Sequence, residues 1–134
     1  MIIKGVVTSG LGLGRKFMSM DVYRKLFREL LKKDPYPGTL NIKLINELDL
    51  NSLVNKCKPS LMNNIERNGR IYGGFIYWYG FIRFRNRSLR VIVLRPFRSK
   101  HDTKVLEVVS DIGLRKELML HDNDIVTIKL MCGG

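Results

Sequence analysis

Three places in this 134-residue chain carry residue types that chemistry uses. Gly10-x-Gly12-x-Gly14, followed by Arg15, sets three residues without a Cβ close together. Such backbone reaches positive φ and turns successive N–H groups toward an anion, with Arg15 at hand for a charge-assisted contact. After Gly14 comes Arg-Lys-Phe, which matches neither a P-loop nor a dinucleotide fingerprint, so spacing leaves a flexible turn and a phosphate cradle both open. Thr39 and Asn41 share one face of an alternating segment, roughly 6.5–7 Å apart along the strand. Two neutral oxygens at that separation suit a hydrated Mg²⁺, which takes much of its coordination from water and substrate phosphates; an ordinary exposed polar face has the same pattern. Glu107 interrupts the apolar run Val105 to Val109, where a carboxylate either points outward or lines a pocket.

Other residue types offer less. His101 and His121, the only histidines, lie in no ligand or nucleophile motif and read as surface residues. Cys57 and Cys132 lack CxxC spacing and a second ligand pair, so two reduced, ordinary cysteines are expected, with neither zinc nor a disulfide. The aromatic group Phe75, Tyr77, Trp78, Tyr79, Phe81 and Phe84 has the makings of a base-stacking surface, but a barrel core is the expected use.

The elements that must position these residues are mostly strands. Ile2 to Thr8 alternates and is β-branched, and the glycine-rich loop follows it. Asp21 to Lys33 repeats its apolar residues at three and four, predicting one long helix capped by Ser19 or Asp21 and ended at Asp34-Pro35. After the Tyr36-Pro37-Gly38 turn, Thr39 to Leu44 alternates with Leu40, Ile42 and Leu44 toward the core. Asn46 to Gly69 reads as a long polar excursion with a short strand or helical turn. Arg70 to Phe84 reads as strand broken at Gly73-Gly74 and at Gly80. Leu89 to Leu94 stops at Pro96, Lys104 to Ser110 and Ile125 to Met131 are further strands, and Leu114 to Leu118 is a short helix. Many short strands with one long helix argue against a doubly wound sheet and for a closed β-barrel.

Bulk composition bounds the rest. A 45% hydrophobic chain of this length supports one core, so residues 1–134 are expected to form a single domain. Its apolar runs are interrupted well short of the ~20 residues a membrane span needs. The N-terminus starts as strand without an apolar leader, which predicts a cytoplasmic protein with no membrane association. Twenty-four Lys+Arg against 12 Asp+Glu give +12, with Arg83, Arg85, Arg87, Arg90, Arg95, Arg98 and Lys100 crowded together. That charge points to a polyanion, and a nucleic-acid backbone, a nucleoside triphosphate and a generally basic surface all remain open.

Taken together, Ser9 to Ser19, Tyr23 and Pro35-Tyr36-Pro37-Gly38-Thr39-Leu40-Asn41 closely resemble the archaeal CTP-dependent riboflavin kinase family. The resemblance resumes at Val93 to Pro96, Glu107, Leu114 to Leu118 and Asp122 to Val126. It implies a six-stranded cradle-loop barrel of the riboflavin-synthase-like kind, with CTP and riboflavin as substrates, FMN and CDP as products, and Mg²⁺ as cofactor. Carried onto this chain, it implies CTP contacts from Gly10, Leu11, Gly12, Leu13, Gly14, Arg15, Ile112, Gly113, Leu114 and Arg115. It further implies Mg²⁺ at Thr39 and Asn41, flavin near Ser99 and Glu107, and Glu107 as the catalytic carboxylate. Ser99 stands where the family often has threonine, and Asp111-Ile112-Gly113 stands where a proline and a bulkier residue are expected. A nucleic-acid-binding barrel is the rival reading; only weak, non-specific nucleic-acid binding is expected of a kinase with this charge.

Overall fold

The structure is a computed structural model that describes residues 1–10, 17–99 and 101–133. Its frame is a closed ring of six antiparallel strands. β1 (Ile2–Thr8) pairs with β2 (Leu40–Leu44), and β2 pairs with β8 (Val105–Val109). β8 pairs with β7 (Arg87–Pro96), β7 with β6 (Phe75–Phe84), and β6 with β9 (Ile125–Leu130), which returns to β1. Closure leaves this sheet no free edge within the ring.

Alternation in the sequence decides what fills the ring. Ile3, Val7, Ile42, Trp78, Ile82, Val91, Val93, Leu106, Val108, Val126 and Ile128 form one buried cluster. Removing each of the larger side chains from water contributes roughly 1.5–3 kcal/mol. A second cluster lies outside the wall, where α1 (Asp21–Leu31) packs Tyr23, Phe27 and Leu31 with Phe75, Ile92, Leu94 and Val109. This explains the unbroken apolar run Val91–Leu94: its odd residues fill the barrel and its even residues lie in the helix-side cluster. Met20 occupies the N-cap of α1, in place of the expected Ser19 or Asp21, and Lys32 ends the helix at φ 63°.

Two glycine readings separate. β6 runs straight through Gly80, where a Cβ would stand 2.4 Å from the Lys129 carbonyl; glycine there admits the crossing of β9 and breaks nothing. At Gly73-Gly74 the break is real, and a Cβ on Gly74 would meet the Met62 carbonyl at 2.0 Å. The segment expected to be a largely irregular excursion is organised. α2 (Leu50–Lys56) starts at Asp49, whose carboxylate accepts from the Ser52 backbone N–H at 2.9 Å. β3 (Ser60–Met62) pairs beside β6, and β4 (Ile65–Arg67) forms a hairpin with β5 (Arg70–Tyr72) outside the ring. α3 (Leu114–Glu117) follows β8.

The reading of the cysteines as a reduced pair is overturned: Cys57 and Cys132 form a disulfide, with Cα atoms 4.9 Å apart. Cys57 ends α2, donating its N–H to Leu53, while the Gly133 N–H reaches the Lys58 carbonyl at 3.0 Å and lays the C-terminal tail alongside. Their 75-residue separation hides the encounter from any spacing rule. Among the described residues no helix is long and apolar enough to cross a membrane.

Candidate active site

Two clefts meet at the outer face of the β2–β8 pair. Inward-facing Leu40 and Ile42 alternate with Thr39 and Asn41, and inward-facing Leu106 and Val108 flank Glu107. Register then sets Asn41 directly opposite Glu107. Cross-strand partners share a face, so strand pairing brings together two polar residues distant in sequence. The Thr39 hydroxyl donates to Glu107 Oε1 at 3.0 Å and completes the group.

Both Asn41 and Glu107 are 8% exposed. Burial pushes the Glu107 carboxyl above its ordinary range, against the Thr39 hydrogen bond and the nearby charges of His101 and Arg95. Asn41 Oδ1 is buried with no hydrogen-bond partner among the described residues, an arrangement that costs stability unless something else coordinates the oxygen. A Cβ on Gly10 would lie 2.0 Å from Asn41 Nδ2, so the Gly10 backbone packs directly against this amide and any side chain there must displace it. An orphaned amide oxygen, a hydroxyl and a carboxylate form a hard-oxygen donor set that fits Mg²⁺.

The first cleft, about 770 Å³, opens beside Thr39 and Asn41. Ser9 and Gly10 form one side, the Tyr36–Gly38 turn another, and the segment from Ser110 to Lys116 the third. Tyr36 donates its N–H to the Ser110 carbonyl at 2.8 Å, tying the turn to the end of β8. Asp122 braces the opposite side, accepting from the Ser9 hydroxyl and from Arg115 Nη2 at 2.7 Å. Those contacts, the Ser9 bond foremost, hold its carboxyl below the usual range.

The second cleft, about 290 Å³, lies across Glu107, between α1, the β4–β5 hairpin and the loop after β7. Ser99 lines it and accepts from the His101 N–H at 3.2 Å. Buried Arg95 holds this loop in place, donating to the carbonyls of His101 and Val105 at 2.8 Å each and to that of Asp102.

The expected residues therefore divide. Gly10, Thr39, Asn41 and Ile112 to Arg115 border the first cleft, and Ser99 and Glu107 the second. Leu11, Gly12, Leu13, Gly14 and Arg15 lie outside the described residues. His121 is exposed as expected, but His101 lines the second cleft and acts electrostatically on Glu107, which corrects its reading as a plain surface residue. Arg95 and Asp122 went unnoticed as site-shaping residues. Arg95 ends a run of four apolar residues, the same mark that singled out Glu107; Asp122, in a polar turn, carries no comparable signal.

A family model named for CTP-dependent riboflavin kinase, and described as domain of unknown function DUF120, matches residues 7–130. A curated riboflavin kinase of Saccharolobus solfataricus is 36% identical over 130 residues, covering 96% of this chain and 73% of the relative. That of Methanococcus maripaludis is 33% identical over 129 residues, 96% of this chain and 98% of the relative. The riboflavin kinase of Archaeoglobus fulgidus is also 33% identical, but the matched region spans only 54% of its length. Because the family match runs from within β1 to the last residue of β9 and takes in both clefts, the chain belongs to the archaeal riboflavin kinase family.

Proposed function

We propose that this protein transfers the γ-phosphoryl group of CTP to the 5′-hydroxyl of riboflavin, giving FMN and CDP. The observation that carries the reading is the placement of Glu107. Its carboxylate stands where the two clefts adjoin, held by Thr39 from the first while lining the second. A donor in one cleft and an acceptor in the other would meet there. CTP rather than another triphosphate is supported by the family's name and by the resemblance of the glycine-loop and Pro-Gly-Thr-Leu-Asn motifs.

In this reading the first cleft holds the nucleotide, with Gly10 and Ile112 to Arg115 around it, and the second holds the flavin beside Ser99; Leu11 to Arg15 join the nucleotide contacts by family resemblance alone. Thr39 and Asn41 hold Mg²⁺, which when bound neutralises charge on the phosphates. The flavin hydroxyl oxygen forms a bond to the γ-phosphorus as the bond from that phosphorus to the β,γ-bridging oxygen breaks, and the electron pair leaves with CDP. Glu107 accepts a hydrogen bond from the attacking hydroxyl and takes its proton as the P–O bond forms. The outer-wall site, bordered by two clefts, positions both reactants, and positioning and electrostatics supply most of the acceleration.

The test is incubation with riboflavin, Mg²⁺ and each of CTP, ATP, GTP and UTP, followed by separation of riboflavin from FMN. FMN forming preferentially with CTP, and disappearing on EDTA treatment, is the expected result. No FMN with any nucleotide overturns the reading. The +12 charge also supports weak, salt-sensitive association with nucleic acid, incidental to catalysis.

A further inference from the structure

Phosphoryl transfer uses only the inner end of the second cleft, and its outer end carries a different chemistry. The β4–β5 hairpin stands outside the barrel and is pinned at its root on two sides. The Tyr23 hydroxyl donates to the Gly73 carbonyl at 2.7 Å, and the Gly74 N–H donates to Asn64 Oδ1 at 2.8 Å. These pins carry Arg70 and Tyr72 to the cleft, with the Arg70 guanidinium 5.0 Å from the Tyr72 ring centroid. Tyr23 meets Tyr72 edge-on at 5.9 Å. Arg98 reaches the cleft from the loop after β7, and that loop is joined to the hairpin root by the Phe97 N–H donating to the Gly74 carbonyl at 3.1 Å. Both guanidinium groups act electrostatically on the Tyr23 hydroxyl, and both line the cleft beside it. Among the described residues neither arginine has an ion-pair partner.

The cleft thus has a carboxylate at its inner end, aromatic walls, and two guanidinium groups at its outer end. Arginine is donor-only, and its planar fork both stacks on rings and matches paired acceptors. A complementary ligand places a hydroxyl at Glu107 and a flat ring with carbonyl acceptors along its far edge between the arginines. Riboflavin has that order of groups: a ribityl chain at one end, and the two carbonyls of the pyrimidinedione at the far edge of the ring system. We propose that Arg70 and Arg98 are specificity-determining residues for the flavin ring, donating hydrogen bonds to its pyrimidinedione edge. The assignment rests on riboflavin being the acceptor.

Lumiflavin separates this role from any other, because it keeps the ring and lacks the ribityl chain. Arg70→Met and Arg98→Met retain much of the apolar stem, and thermal melts check that each folds. Fluorescence titrations with lumiflavin, riboflavin and FMN are then compared with steady-state FMN formation. Each variant is expected to weaken both ligands by the same factor, about tenfold for a lost charged hydrogen bond, and to raise the riboflavin KM while kcat stays within about twofold. Unchanged lumiflavin affinity in both folded variants, with wild type still making FMN, overturns the inference. So does weaker FMN binding without weaker lumiflavin binding, which assigns the arginines to a phosphate. Absence of FMN formation by wild type overturns the parent reading instead, and that result is read separately from the titrations.

Discussion

The cleft beside Tyr36 and the cleft beneath the β4–β5 hairpin meet at one strand pair but are assembled differently. The first is built from two near-continuous segments, Tyr36 to Asn41 and Ser110 to Lys116, each a turn running into a strand or helix, with Ser9 and Gly10 beside them. The second draws its lining from more places: α1, the hairpin, the loop after β7 and a lone carboxylate on β8. Backbone groups and small residues suit a polyphosphate, whose recognition is largely charge and N–H donation. A flat aromatic ligand needs walls, which must come from side chains on separate elements. The same barrel therefore supports a motif-built side and a fold-built side, joined where Thr39 meets Glu107.

The sharpest test of that junction is Glu107→Gln, which keeps an acceptor for the Thr39 hydroxyl and removes the base. It is expected to lower kcat by about 10²- to 10⁴-fold with CTP affinity retained. A change confined to the riboflavin KM would make Glu107 a binding residue of the second cleft alone. Thr39→Ala and Asn41→Ala come next: each should lower activity roughly ten- to hundredfold and raise the Mg²⁺ concentration required. Equal loss with no change in metal requirement would separate them from the metal.

Gly10→Ala probes the first cleft by itself. Its Cβ must displace the Asn41 amide, an overpacking of about 1–3 kcal/mol, so the CTP KM should rise about tenfold while riboflavin binding holds. Equal damage to both substrates would mean that the two sides are not separable. A smaller effect is expected on stability. Burial raises the Glu107 carboxyl in metal-free protein, so the folded state holds this proton more tightly than the unfolded chain. The associated stability is present below the ordinary Glu range and is lost as pH rises through the raised value. Wild type should therefore lose melting temperature relative to Glu107→Gln across that window, measured by thermal denaturation in EDTA. The smallest kinetic change should come from Cys132→Ser, since neither cysteine of the disulfide lines a cleft: kcat and both KM values within twofold, despite a stability loss of about 2–4 kcal/mol.

Legibility in the sequence followed the same division. The strand alternations and the α1 periodicity were readable because side-chain direction repeats every two residues in a strand and about every 3.6 in a helix. The segment from Asn46 to Gly69 was not, although Asp49 directly before Leu50 is a residue type that caps helix N-termini and does cap α2. Thr39 and Asn41 could be assigned a common face, and Glu107 could be marked as out of place among valines. Arg70, Arg98 and His101 gave no sign of sharing a cleft.

By itself the sequence determined the inward-facing residues of β2, the positions of the glycine-rich and Pro-Gly-Thr-Leu-Asn motifs along the chain, and the kinship those motifs signal. Only the tertiary structure decided that Asn41 faces Glu107, that a hairpin outside the barrel lines the second cleft, and that Cys57 meets Cys132. The reason is physical. Periodicity is a local property of the backbone, whereas cross-strand partners are fixed by register, and register here is set by six strands closing on one another around a shared core.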